Sequence, residues 1–161
     1  MPFTGYMNIP DVPGESQRAE HEDEIDIHNC YWIIEQASVA QVGRGRSQSR
    51  AQISAFKFSK WYDASSPYLA LATMQAKSFD KIVFCVRKDS GEAHLDYLEI
   101  TMENVVISSY EMLGSPDDEN QMIEEQFGLA FENVKVKYTV QADDHSAGDE
   151  HEIEYDIAQG V

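Results

Sequence analysis

Tyr97-Leu98-Glu99-Ile100-Thr101-Met102-Glu103-Asn104-Val105-Val106-Ile107-Ser108-Ser109-Tyr110 is the most informative run in the chain. With Leu95 just before it, its apolar residues recur at every second position and not at helical spacing, so it predicts a long strand from Ala93 to Tyr110. The phase shifts near Glu103-Asn104, as a β-bulge would shift it. Upstream, Lys81 to Lys88 repeats the period of two and meets this strand across an Asp89-Ser90-Gly91-Glu92 turn. Downstream, Leu113 to Asn120 reads as a loop. Phe127, Leu129 and Phe131, then Val134, Val136, Tyr138 and Val140, form one more strand or a pair in continuation. A polar linker from Asp143 to Asp149 precedes a last alternating piece at Ile153, Tyr155 and Ile157.

The N-terminal half follows the same pattern. Tyr6-Met7-Asn8-Ile9 is a short strand stopped by Pro10, Pro13 and Gly14, and Glu15 to Asp23 is a charged loop. Ile25 and Ile27 open a long, bent strand that runs through Trp32 and Ile34 to Val39. Val42-Gly43-Arg44-Gly45-Arg46-Ser47-Gln48-Ser49-Arg50 then joins it to a strand at Gln52 to Trp61, which predicts an extended hairpin that projects from the body. One helix of about ten to fourteen residues is expected. Asp63 or Ser66 caps it, Pro67 suits its first turn, Leu69, Ala72 and Ala76 share a face, and Lys77 suits the dipole at its end. Antiparallel strands with one helix predict a mainly β barrel or sandwich over residues 1–161, as a single domain.

Composition narrows the partners. Against 29 Asp and Glu stand 12 Lys and Arg, a formal charge of −17. A field of that sign repels phosphate backbones and anionic lipid, so neither nucleic acid nor a membrane is the expected partner. Partners should be proteins. Cys30 and Cys85 each lie in an apolar run, which favours buried thiols over a disulfide framework. The first ten residues carry neither a basic stretch nor an apolar h-region, so a Sec-type signal peptide is not expected.

Candidate chemical sites are weak. His145 and His151 with Asp143, Asp144, Asp149, Glu150 and Glu152 lack the spacing of a calcium loop or a paired-His zinc site and read as a solvated acidic stretch. His21 with Glu22, Asp23 and Glu24 reads the same way. His28 and Cys30 share a strand face without a third group to orient a base, and Ser65 and Ser66 are better placed to start a helix than to attack a substrate. Gly43-Arg44-Gly45-Arg46 lacks the Lys-Ser/Thr ending of a phosphate loop. Its placement still matters, because Arg44, Arg46 and Arg50 hold three of the 12 positive charges on the segment expected to project furthest. Such a loop calls for an acidic surface, which this same chain supplies.

Several segments together resemble the hemolysin-coregulated proteins (Hcp), tube-forming components of bacterial type VI secretion systems. Tyr6 to Ile9 stands where that family has its first strand. Gly14-Glu15-Ser16, His21 and Ile25-Asp26-Ile27 are similar to its G-E-S, H and I-[DE]-[VI] series. Phe56 to Leu69 resembles its F-x-[KR]-x-x-D-x-[SA]-[ST]-P-x-L signature. Tyr97 to Tyr110 resembles its Y-L-x-[IV]-x-[LM]-x-x-[VA]-x-[VI]-S-S-Y strand, and Phe127 to Tyr138 its closing strand.

The resemblance implies an antiparallel β-barrel of two sheets flanked by one short helix, with an extended hairpin loop. It further implies homohexameric rings with a wide pore, stacked into a tube that a contractile sheath drives out of the cell behind a spike, with effector proteins carried inside. No catalysis and no cofactor are implied. On this reading Val42, Gly43, Arg44, Gly45, Arg46, Ser47 and Arg50 form a ring-stacking loop. Its acidic counterpart on the next ring is sought at Glu20, Glu22 and Asp23 or at Asp117, Asp118 and Glu119, and Tyr31 is a candidate for the pore lumen. The protein would be cytoplasmic before firing and extracellular afterwards. The loop departs from the family in carrying arginines where others are almost pure glycine. Asp149 to Val161 reads as a plain acidic ending, so a tube subunit is expected and not a fused effector. The rival readings are a monomeric secreted β-sandwich protein and a metal-binding hydrolase that uses the His and carboxylate clusters.

Overall fold

A computed structural model describes residues 3–36, 51–90, 93–114 and 122–161. In chain order the elements are β1 (Gly5–Asn8), β2 (Ile25–Ile27), β3 (Asn29–Tyr31), β4 (Ile34–Glu35), β5 (Gln52–Ile53), β6 (Phe56–Trp61), α1 (Ser66–Met74), β7 (Ser78–Ser90), β8 (Ala93–Gly114), β9 (Ile123–Ala130), β10 (Asn133–Gln141) and β11 (Ala147–Asp156). The fold is mainly β, with one short helix and antiparallel pairing throughout.

Ladder pairing follows one path from β1 to β3, and the chain itself joins the two ends. β1 pairs β7, β7 pairs β8, β8 pairs β9, β9 pairs β6 and β6 pairs β3. His28 joins β3 to β2 and donates its N–H to Ser59 O at 3.1 Å, and β2 returns to β1. The stretch expected as one bent strand is therefore three short ones, since residues 25–31 must turn from one wall of the barrel to the other. Alternation fills the interior with Met7, Ile25, Phe58, Phe84, Met102, Phe127 and Leu129, all fully buried.

β8 changes partner along one edge. Its first half pairs β10 (Asn133↔Glu103 to Tyr138↔Leu98) and its second half pairs β9 (Val106↔Ala130 to Gly114↔Ile123). So β9 and β10 are the pair in continuation. The corner between them is where the alternation changes phase: Asn104 has φ 51°, and its Nδ2 donates to Glu132 Oε2 at 3.1 Å. An asparagine tolerates that left-handed backbone better than the β-branched Val105 beside it would. β8 also runs on to Gly114, further than its alternation suggested, because β9 supplies a partner that far. β11 likewise begins at Ala147, inside the stretch read as a linker, because β10 offers it an edge.

The helix is shorter than expected. α1 has nine residues, and Ala76 lies beyond it with φ 49°, so Ala76 is off the buried face that Leu69 and Ala72 form. Ser65 is the N-cap residue, and its own N–H donates to Asp63 Oδ1 at 2.9 Å. Lys77 sits outside the last turn, with its Nζ 5.1 Å from the Phe79 ring centroid.

Candidate assembly surfaces

β4 and β5 form a separate two-stranded sheet (Ile34↔Ile53, Glu35↔Gln52), the base of the predicted hairpin. Its tip, with Val42, Gly43, Arg44, Gly45, Arg46, Ser47 and Arg50, lies outside the described residues. So do Asp117, Asp118 and Glu119. The other acidic candidates, Glu20, Glu22 and Asp23, are exposed on the connection from β1 to β2.

That connection is tightly built. Gly14 N–H donates to Asp23 O at 2.8 Å, Ser16 N–H to Glu24 O at 3.0 Å and Asp23 N–H to Ser16 O at 2.9 Å, so the segment folds back on itself. A Cβ on Gly14 would lie 2.1 Å from Glu24 O, which only glycine avoids. His21 is not a solvated residue, as the charges beside it suggested, but is 5% exposed. Its Nδ1 lies 2.7 Å from Glu24 Oε2 and its Nε2 2.9 Å from Asp96 Oδ2, and its ring stacks on Tyr6 at 4.4 Å. Arg87 donates from Nε to Asp96 Oδ1 at 2.7 Å and from a terminal nitrogen to Ala19 O at 2.9 Å. Burial pushes the Asp96 carboxyl upward, but the Arg87 bond and the His21 charge outweigh it and hold the group below its ordinary range. Glu20 faces Arg87 at 3.4 Å, which leaves Glu22 and Asp23 as the outward acids of the turn. Nothing in the local sequence signals Asp96 and Arg87 as partners, because they come from β8 and β7.

A second polar cluster secures α1. Lys60 on β6 and Glu125 on β9 are 0% and 1% exposed, with Nζ 2.9 Å from Oε1. Lys60 also reaches Asp63 at 2.9 Å, Ser66 Oγ at 3.0 Å and Trp61 O at 3.0 Å. Glu125 accepts from Ser66 and from the Tyr110 hydroxyl, and burial together with that carboxylate raises the Tyr110 pKa. Ser66 is thus a buried link between helix and barrel.

Two further surfaces are open. Tyr31 is 56% exposed and lies on a row across four strands, Tyr31↔Lys57↔Gly128↔Ser109, on the outside of the barrel wall. Gly128 at its centre is crowded, since a Cβ there would meet Ser109 Oγ at 2.8 Å and Ser108 Oγ at 3.2 Å. Elsewhere the core row Phe84↔Ile100↔Val136↔Ile153 runs out of the barrel along β10 and β11. Phe84 is 0% exposed at one end and Ile153 65% at the other, with Tyr138 40% exposed beside it. The opposite side of this wing carries Lys81, Glu99, Glu103, Lys135, Lys137 and Glu152 around a shallow cleft. His145 and His151 are exposed, and among the described residues no three His, Cys, Asp or Glu side chains converge as a metal site requires. Nor is any helix among the described residues long and apolar enough to cross a membrane. Cys30 is half-buried and Cys85 buried; both are free thiols, and burial pushes Cys85 up to about 12.

These features define a class: a small antiparallel β-barrel with a capping helix and a hairpin base, which exposes an acidic turn, a row through Tyr31 and an apolar wing. A family model described as type VI secretion system effector, Hcp, matches residues 6–138. Protein hcp1 of Pseudomonas aeruginosa is 31% identical over 157 residues, covering 97% of this chain and 96% of that protein. Among solved structures, one described as a type six secretion system protein superposes with a TM-score of 0.91 at 22% identity, over 99% of this chain and 98% of the other. Hcp1 from Salmonella typhimurium gives 0.80 at 26% identity, over 99% and 97%. The chain belongs to the Hcp family of the type VI secretion system.

Proposed function

We propose that this protein is the tube subunit of a type VI secretion system. Six copies form a ring, and rings stack into a tube that leaves the cell through the type VI machine. The observation that carries this reading is the family membership over most of the chain, together with an apolar wing, β10 and β11, on which Tyr138 and Ile153 stay exposed among the described residues. A neighbouring barrel on Val136, Tyr138 and Ile153 closes the ring, because burying such side chains is worth about 2 kcal/mol each. The row through Tyr31 and Lys57 faces the pore, where effector proteins are carried. Ring-to-ring contact runs between the Arg44, Arg46 and Arg50 loop and the acidic turn at Glu22 and Asp23, with Asp117, Asp118 and Glu119 as the alternative counterpart.

Light scattering on purified protein tests the reading. Six copies of 18.2 kDa weigh about 109 kDa, whereas a stable mass of 18.2 kDa favours the monomeric rival. Replacing Arg44 and Arg46 by Glu should abolish stacking and secretion while the ring mass is kept.

A further inference from the structure

Glu20 and Asp23 both hold left-handed backbone, with φ 70° and 61°. Neither is a glycine, so the turn they bracket carries a conformational cost that its backbone hydrogen bonds and its contacts to the barrel offset. The side chain between them that reaches the barrel is His21, buried on the outer face of β1, β7 and β8. Both of its ring nitrogens lie within hydrogen-bond distance of carboxylate oxygens, at 2.7 Å and 2.9 Å. A neutral imidazole has one N–H and one lone pair, so only the imidazolium donates to Glu24 and Asp96 together.

We infer that His21 is a positioning residue for ring stacking: its imidazolium latches the strained acidic turn to the barrel, and loss of the proton releases that turn. This rests on the tube reading above. Glu24 from the connection, Tyr6 from β1 and Asp96 from β8 touch the ring, and the charged groups gathered around these partners are Arg87 from β7, which pairs Asp96 and Glu20, and Arg18, Asp26 and Asp89, which act on Tyr6. Deprotonation removes one positive charge from a site where carboxylates outnumber Arg18 and Arg87. It also turns a lone pair toward a carboxylate oxygen. The latch therefore holds while both ring nitrogens carry protons and weakens when one is lost. Glu22 and Asp23 then lose their fixed position, and a cationic segment of the next ring meets a mobile target.

Amide hydrogen exchange on the full chain reads the latch directly, through the N–H groups of Gly14, Ser16 and Asp23. Corrected for intrinsic rates, their protection should fall about tenfold or more between about pH 6 and about pH 8.5, while core amides of β7 and β8 hold. H21Q should remove the pH step and leave the three amides poorly protected throughout. E24Q, which supplies an amide donor to a neutral imidazole, should keep protection at the high-pH end and still fold if H21Q does not. Protection that is flat with pH in the wild type overturns the latch. Stacking is read by electron microscopy of the same samples. Tubes that persist at high pH while the turn opens overturn the coupling to stacking. A sample with no ring at pH 6 sinks the tube reading itself, and the exchange profile still decides the latch.

Discussion

A charge without access to water is tolerated only when it is paired, and Lys60 and Glu125 meet that requirement with each other. K60M leaves Glu125 buried with Ser66 and Tyr110 as its remaining partners among the described residues. It should cost about 3–5 kcal/mol in chemical denaturation, and a loss under about 1 kcal/mol would show that water reaches the site. Asp96 offers a test with pH. Its folded pKa lies below the ordinary 3.8, so its contribution to stability is present above that value and is lost as pH falls through the lowered one. Acid unfolding of D96N should have a shallower pH slope than wild type on the acid side of 3.8, and identical slopes would remove Asp96 from the account.

At the scale of elements, β8 and the β9–β10 continuation organise the molecule. One strand serves two partners along one edge, with the change falling at Asn104 on β8 and at the Phe131-Glu132 step between β9 and β10. The cost of that design is a wing, β10 with β11, whose apolar row extends past the barrel it belongs to. I153D places a charge in the contact proposed to close the ring. It should lower the measured mass to that of one chain, and because Ile153 is 65% exposed the barrel's thermal midpoint should move by no more than about 2 °C. A ring that survives the substitution would put the closing contact elsewhere.

For the whole molecule, charge is the dominant long-range term. Six chains of −17 make on the order of −100 per ring, which opposes association until salt screens it. Ring formation should strengthen as ionic strength rises from about 0.02 M to about 0.15 M, where the screening length falls to about 8 Å. Sedimentation across that range checks it. Association that weakens steadily with salt would mean that ion pairs, and not the apolar wing, close the ring.

Alternation along residues 93–110, the hairpin signals around Gly43 and Gly45 and the Ser65-Ser66-Pro67 helix start determined a mainly β chain with one helix, since each depends on neighbours in sequence. The ordered segments from Tyr6 to Tyr138 determined the family. Local pattern misjudged the helix end, because Ala76 fits a helical face but takes a left-handed backbone there. It also misjudged His21, which sits among acids in the sequence and under Tyr6, Asp96 and Arg87 in space. Only the tertiary structure decided that Lys60, Ser66, Tyr110 and Glu125 are one cluster and that the core row emerges at Ile153. Those arrangements depend on which strand lies beside which, and a residue's own neighbours in the chain carry no record of the partners that pairing brings to it.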